Sequence, residues 1–504
     1  MHIRDHADGE QPAIVLVPSA ITVNFAELDA RANQLAHFLR SSGVFAGDTV
    51  AILMENNAHV HAAMWAARRS GLYFTIINTH LTAAEIGYIV GDCQAKALMS
   101  SHAMITTCRA LESPAQQGLP RVRLMADDDL EGWQRYPECV ASQPTTPIED
   151  ECDGQLLQYS AGSTGRPKGI RRPLRPAASG LSSLSTPVFE ALSIDAGAVY
   201  LSPAPTYHTA PAMWTMAAQA AGATTIVMEH FDPVLALETI ERYGVTHAQF
   251  VPTMFVRMLR LPDEMRLRYD VSSLRRVVHA AAPCPPEIKA QMIDWWGPII
   301  DEYYGSSEGA GICYIRAEEW LEHPGSVGRP LLGTPHVLGP DGAELPIGEI
   351  GDIYFDGGYP FEYLNDASKT AASRTADGWV TVGDVGYLDR DGYVYLTDRR
   401  HHMIITGGVN VYPQEAENAL LSHPLVVDAA VFGIPDADLG QTVKAVVELA
   451  DPAHIGDDTA ERLMVWLRER LATYKCPRSI AFTRRLPRTD AGKLNKNRLI
   501  EMYR

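Results

Sequence analysis

The sequence predicts an α/β protein: a large N-terminal domain of two α/β subdomains plus a β-rich subdomain, then a small α+β C-terminal domain. Three observations carry this. Short apolar runs alternate with amphipathic helical patterns over residues 25–99 and again over 199–296, as parallel strands joined by crossover helices require. From about Ser326, Gly, Pro and Asp turns separate short strands instead. After Asp398 a compact mixture of two helical patterns and three strands follows, which places a boundary around Asp398 to His401.

The elements follow in order. Residues 25–41 read as a helix with Phe25, Leu28, Leu35, Ala36 and Leu39 on one face. Residues 49–54 read as a buried strand, 59–70 as a helix and 73–77 as a strand. Thr82 opens a helix, with Glu85 three residues on completing a capping box; 96–99 is a strand. The second α/β stretch has strands at 199–201, 224–228, 247–251 and 274–279, and helices at 211–221, 233–243 and 286–296. In the β-rich stretch, 350–355 and 393–396 are strands. The last part has helices at 410–422 and 460–471 and strands at 426–433, 443–448 and 479–482.

The 504 residues are 46% hydrophobic and carry a net charge of −18, a composition that excludes a disordered chain. No Lys/Arg block marks a nucleic-acid face. Of 43 Lys and Arg and 61 Asp and Glu, 15 and 13 lie from Arg399 onward and 28 and 48 before it. The body is therefore strongly acidic and the tail mildly basic, as expected of two units with different jobs. The seven cysteines form no C-x₂-C pair and no zinc-spaced cluster, so they read as reduced thiols. The first twelve residues lack the pattern of a signal peptide, and no run of 18 apolar residues predicts a membrane span. A cytoplasmic protein is expected, and the sequence leaves a homo-oligomer open.

One segment points to phosphate chemistry. Residues 159–169, Y-S-A-G-S-T-G-R-P-K-G, follow an apolar strand at 155–158. Glycines let backbone N–H groups approach an anion, hydroxyls add donors and Lys168 adds a charge. The alternative is an ordinary surface loop. The spacing is not that of a P-loop, and the residues after Lys168 read as a strand rather than a helix.

This segment resembles the Y-T-S-G-T-T-G-x-P-K-G signature of the adenylate-forming superfamily, which includes acyl-CoA synthetases, non-ribosomal peptide synthetase adenylation domains and beetle luciferases. Four further segments are similar to the superfamily's motifs and occur in its order: Tyr304 to Gly309, Gly378 to Asp384, Arg399 through Pro413 and Glu417, and Pro487 to Leu494. The chain is most like the AMP-forming acyl-CoA synthetases.

The resemblance implies a body over residues 1–397, a hinge over 398–402 at His401, and a mobile C-terminal domain over 403–504. It also implies roles. Ser160, Gly162, Ser163, Thr164, Gly165 and Lys168 would hold the ATP phosphates. Tyr304 would lie against adenine, with Ala281, Ala282 and Pro283 on its other side; Gly305 and Ser307 would line the same site. Glu302 is a candidate for the adenine amino group. Glu308 would bind Mg²⁺, a cation that wants hard oxygen ligands. Asp384 would accept bonds from the ribose hydroxyls, assisted by Arg399. Lys493 would stand between the attacking carboxylate and the α-phosphate, relieving their repulsion. Gly407 and Gly408 would line a tunnel for the pantetheine arm of coenzyme A. Tyr207 and His208, with Gly305, would sit at the mouth of the acyl pocket.

Amino-acid-activating relatives place an Asp just after that mouth to pair with the substrate ammonium. Residues 209–214, T-A-P-A-M-W, contain none, and burying an ammonium unpaired is costly. A bulky, apolar carboxylic acid is therefore expected, with ATP, Mg²⁺ and coenzyme A as cosubstrates. Two alternatives stay open. Ala161 and Ser163 stand where the signature often has Ser and Thr, which fits an enzyme that only transfers a supplied acyl-adenylate to coenzyme A. The acceptor thiol is otherwise that of a carrier protein.

Overall fold

Capping residues set many of the helix starts. In the computed structural model, which describes residues 2–113, 118–160, 167–182, 184, 187–407, 409–436, 438–488 and 494–503, the helix Phe25–Ser41 begins on Asn24, whose side chain accepts from the Glu27 amide at 2.8 Å. Thr82 and Glu85 form the expected capping box at the start of Ala83–Asp92. Pro233 opens Pro233–Tyr243 behind Asp232, and Gly244 closes it at φ +59°, the left-handed conformation that glycine adopts without penalty.

The chain divides into two compact units. The first comprises residues 1–249, 307–309 and 359–373; the second 250–306, 310–358 and 374–504.

The first unit contains a six-stranded sheet in the order Gln134–Arg135, Val122–Met125, Ala97–Ser100, Thr49–Leu53, Tyr73–Ile76, Gln155–Leu156. All its pairs are parallel, which accounts for the near-continuous apolar runs of strands buried on both faces. Pro12–Val17 pairs in parallel with Thr224–Met228, and that strand with Val199–Ser202. A third, antiparallel sheet joins Gln158–Ser160, Lys168–Arg171 and Glu362–Tyr363. The strand expected at 155–158 is thus two short strands that break at buried Leu157.

In the second unit Arg276–His279 runs parallel to Ile300–Gly305. The strands Ile312–Ile315, Ser326–Leu332, Val394–Arg399, Asp384–Leu388, Gly351–Asp356 and Thr334–Leu338 continue antiparallel. The last hundred residues build their own sheet from Val409–Val411, Ile404–Thr406, Gly440–Leu449 and Val426–Asp436, with Ser479–Thr483 parallel to Gly440–Leu449. Leu420, Val431, Val443, Leu463 and Leu467 form its core. The helix expected from residue 410 starts at Pro413 instead; Val409, Asn410 and Val411 form a strand, and Pro413, with no N–H to satisfy, suits the first helical turn. The terminal helix Lys496–Tyr503 lies beyond the elements that the sequence indicates.

Among the described residues no helix is long and apolar enough to cross a membrane.

Candidate functional site

In the first unit the antiparallel sheet does the positioning. Lys168 pairs in register with Ser160, and Leu364 N–H reaches the Gly169 carbonyl at 2.8 Å. This brings the segment after Tyr363 alongside Lys168, whose ammonium is paired with the Asp366 carboxylate. The other Asp366 oxygen caps the helix Ala367–Ala372 by accepting from the Lys369 amide at 2.9 Å. Gly162, Ser163, Thr164 and Gly165 lie outside the described residues.

Glu308 is buried at 9% exposure. Tyr363 donates its hydroxyl to Oε1 of Glu308 at 2.9 Å, and the second oxygen has no donor among the described residues. Ser307 meets Thr209, hydroxyl to hydroxyl, at 2.8 Å. The Ser307 carbonyl accepts from Arg172 Nη2 at 3.1 Å, and the Arg172 guanidinium lies 5.0 Å from the centre of the Tyr359 ring. Burial lowers the pKa of Arg172, while Tyr359 and Glu308 favour its charge. Gly309 has φ +70°, and a Cβ there would fall 2.5 Å from Arg172 Nη2, so glycine is required for this packing. His208 caps the helix Thr209–Ala220 through its backbone, and its ring lies 4.6 Å from that of Tyr207. Tyr207 itself is part of the hydrophobic core.

In the second unit Tyr304 donates to Oδ2 of Asp384 at 2.6 Å, and Arg399 Nε stands 3.0 Å from Oδ1. An ionised carboxylate has about four acceptor positions, so Asp384 retains capacity for two more donors. Burial and the adjacent Asp384 charge both raise the Tyr304 hydroxyl pKa, so it stays a donor. A Cβ at Gly305 would meet nothing within this unit closer than 3.6 Å; internal packing does not demand glycine there, and its missing side chain leaves space.

Glu302 is held differently from the sequence expectation. Its Oε2 accepts from Lys289 Nζ at 2.8 Å and lies 3.3 Å from His279 Nε2. Burial is the largest single influence and would raise its pKa, but Lys289 and His279 together outweigh it and bring Glu302 to about 2. Burial lowers the His279 pKa, against the opposite influence of Glu302. Ala281, just beyond the strand Arg276–His279, has φ +72°, a conformation that costs a non-glycine residue energy and concentrates at functional sites. Ala282 and Pro283 continue that turn, half-buried and exposed.

At the expected hinge, Asp398 accepts from His402 Nδ1 at 3.3 Å and from the Gln414 amide at 3.2 Å. The side chain of His401 lies outside the described residues, as do Gly408 and Lys493. Gly407 sits at φ +56°.

The sequence does not single out Asp366, Tyr363, Lys369, Arg172 or Lys289. No local pattern marks them: Asp366 is 198 positions from Lys168, and only the sheet pairing joins them.

The residues present fit a metal–polyphosphate. Glu308 offers one hard oxygen, and Mg²⁺ is usually held by one or two carboxylates together with substrate phosphates and water. Among the described residues Glu308 belongs to no three-ligand protein cage. Lys168, Lys369 and Arg172 supply positive charge in the same unit.

Comparison with known proteins agrees. Residues 3–362 match the family described as AMP-binding enzyme, and residues 415–493 match its C-terminal domain. The chain is 35% identical over 479 residues to a feruloyl-CoA synthase of an Amycolatopsis species, covering 94% of this chain and 92% of that protein. It is 30% identical over 508 residues to the 2-succinylbenzoate–CoA ligase of Bacillus licheniformis, covering 99% and 100%. Among solved structures it is similar to the amide bond synthetase McbA of Marinactinospora thermotolerans, with a TM-score of 0.83, 26% identity, and 100% and 99% of the chains covered. The chain therefore belongs to the AMP-binding enzyme family and is an acid–thiol ligase of the acyl-CoA synthetase type.

Proposed function

We propose that the enzyme activates a bulky, apolar carboxylic acid with ATP and Mg²⁺ and transfers the acyl group to coenzyme A. The observation that carries this is Glu308, a buried carboxylate with one oxygen held by Tyr363 and the other without a donor among the described residues, in the same unit as Lys168 and Arg172. When bound, Mg²⁺ supplies charge neutralisation to the phosphates. Asp384, aligned by Tyr304 and Arg399, takes the ribose hydroxyls on its remaining acceptor positions.

In the first step a carboxylate oxygen of the acid attacks the α-phosphorus and pyrophosphate leaves. Lys493 offsets the negative charge that gathers there. In the second step the thiol of coenzyme A attacks the acyl carbonyl carbon, its proton is lost, and AMP leaves. Residues 403–504 reorient about 398–402 between the steps, so that Lys493 serves the first and the Gly407–Gly408 segment the second.

The reading of the acid rests on the helix Thr209–Ala220, whose 12 residues include no carboxylate. Its Trp214 stacks on Tyr200 at 6.3 Å, an apolar setting. The relatives named above as feruloyl-CoA synthase and 2-succinylbenzoate–CoA ligase support placing aryl acids first in the test.

That test is pyrophosphate release from Mg·ATP with aryl, alicyclic and long-chain acids, with and without coenzyme A. Release that depends on one acid class, with the thioester formed when coenzyme A is added, is expected. Thioester formation from a supplied acyl-adenylate without pyrophosphate release from any acid would replace this reading with thioesterification alone. Adenylation without transfer to coenzyme A would point to a carrier-protein acceptor.

A further inference from the structure

So far Lys369 has entered only as one of the positive charges of its unit. It lies in the helix Ala367–Ala372, whose capping residue Asp366 is the ion-pair partner of Lys168. Its ammonium stands 3.9 Å from the centre of the Tyr363 ring, and Tyr363 is the residue whose hydroxyl holds Glu308. The Lys369 side chain is half-buried. Among the described residues no carboxylate lies in salt-bridge range of its Nζ. Lys168, by contrast, is paired with Asp366.

The local charges are then unequal. Lys168, Lys369 and Arg172 face two carboxylates, Asp366 and Glu308; one of these is tied to Lys168 and the other is available to a metal. Burial lowers the Lys369 pKa and Lys168 lowers it further, while Glu308 and Asp366 act in the opposite sense. A partly desolvated ammonium without a paired acid gains most from an incoming anion. The aromatic face beneath holds it in place without neutralising it.

We infer that Lys369 is a second polyphosphate ligand, bearing on the part of ATP that leaves as pyrophosphate rather than on the adenylate that stays. The inference rests on the adenylation reading above and assigns the leaving group its own cation. Lys369 keeps company with the residues suited to phosphate and metal, Lys168 and Glu308. The residues suited to the nucleoside, Asp384 and Tyr304, belong to the other unit.

AMP and ATP share the nucleoside and the α-phosphate, so paired binding measurements isolate the rest. Isothermal titration of Mg·ATP and of AMP is made on the full-length wild type and on Lys369→Ala, Lys369→Gln and Lys369→Arg. The expected result is a loss of about 10- to 100-fold in Mg·ATP affinity for the Ala and Gln variants, the scale of a hydrogen bond to a charged group. AMP binding stays within about 2-fold of wild type on that same scale, and Lys369→Arg retains most of the Mg·ATP affinity. Equal losses for AMP and Mg·ATP in both Ala and Gln variants would make Lys369 a structural residue and overturn the inference. Unchanged Mg·ATP affinity would overturn it as well. A wild type that binds AMP but not Mg·ATP would instead sink the adenylation reading, and the inference with it.

Discussion

Tyr304 and Asp384, 80 residues apart in sequence, are joined by a 2.6 Å hydrogen bond from the tyrosine hydroxyl to Oδ2. Each belongs to a motif that the sequence reading singled out separately. The bond leaves the carboxylate aligned and half of its acceptor capacity unused, the state suited to receiving a ribose diol.

Replacing that carboxylate tests the assignment. Asp384→Asn turns one acceptor oxygen into a donor while keeping shape. The expected outcome is a rise of about 10- to 100-fold in the KM for ATP, with a parallel loss of AMP affinity by titration. Tyr304→Phe removes the aligning donor but no ligand to ribose, so its effect is smaller and falls on both nucleotides alike. An ATP KM unchanged in Asp384→Asn would remove Asp384 from the site.

The buried pair Lys289–Glu302 makes a second prediction. Lys289 is fully buried and bonds Glu302 at 2.8 Å. Removing one member of a buried pair strands the other charge, at a cost of about 3–5 kcal/mol. Lys289→Met should lower the urea midpoint by a corresponding amount, and Lys289→Met with Glu302→Gln should recover part of it. The pH dependence has a definite sign. The folded Glu302 pKa, about 2, is below its ordinary 4.5, so its contribution to stability is complete above about 4.5 and is lost as pH falls toward 2. Denaturation series across that window measure it, and the loss is absent in Glu302→Gln.

This pair also marks where the sequence stopped being informative. The helices Phe25–Ser41, Pro233–Tyr243 and Pro286–Trp296 and the strand Thr224–Met228 fall within the bounds that periodicity and caps indicate, because those signals are local. Motif order exposed Glu308, Asp384 and Lys168 for the same reason: their neighbours in sequence are the pattern. Asp366, Lys369 and Lys289 are single polar residues in unremarkable contexts, brought to their partners by strand pairing or helix packing. Glu302 was visible as a candidate, yet its engagement by Lys289 depends on the helix Pro286–Trp296 packing beside its strand, which no spacing encodes.

Glu308 should divide the two half-reactions. Glu308→Gln keeps the hydrogen bond from Tyr363 but removes the charge a metal needs. Acid-dependent pyrophosphate release should fall about 10²- to 10³-fold, as when one electrostatic stabiliser is lost. Thioester formation from a supplied acyl-adenylate, which involves no metal–pyrophosphate, should stay within a few-fold of wild type. Equal losses in both assays would assign Glu308 a structural role.

Arg488 makes the last prediction, since it stands immediately before the segment that contains Lys493. Its guanidinium grips Asp428 in two places, Nε to Oδ2 at 2.5 Å and Nη2 to Oδ1 at 2.7 Å. Asp428 belongs to the long strand Val426–Asp436, so a rigid element fixes the chain a few residues before the lysine. A bidentate Arg–carboxylate pair sets direction as well as position. Lys493→Ala should remove the first half-reaction by about 10²-fold or more and leave the second nearly intact. Asp428→Asn breaks the fork without touching the lysine. It should slow pyrophosphate release by a smaller factor, about 10-fold, with the KM values for ATP and the acid nearly unchanged, because orientation rather than binding is lost. Single-turnover assays of each half-reaction separate the two effects. A first half-reaction unaffected by Asp428→Asn would mean that the Arg488 anchor does not govern where Lys493 is delivered.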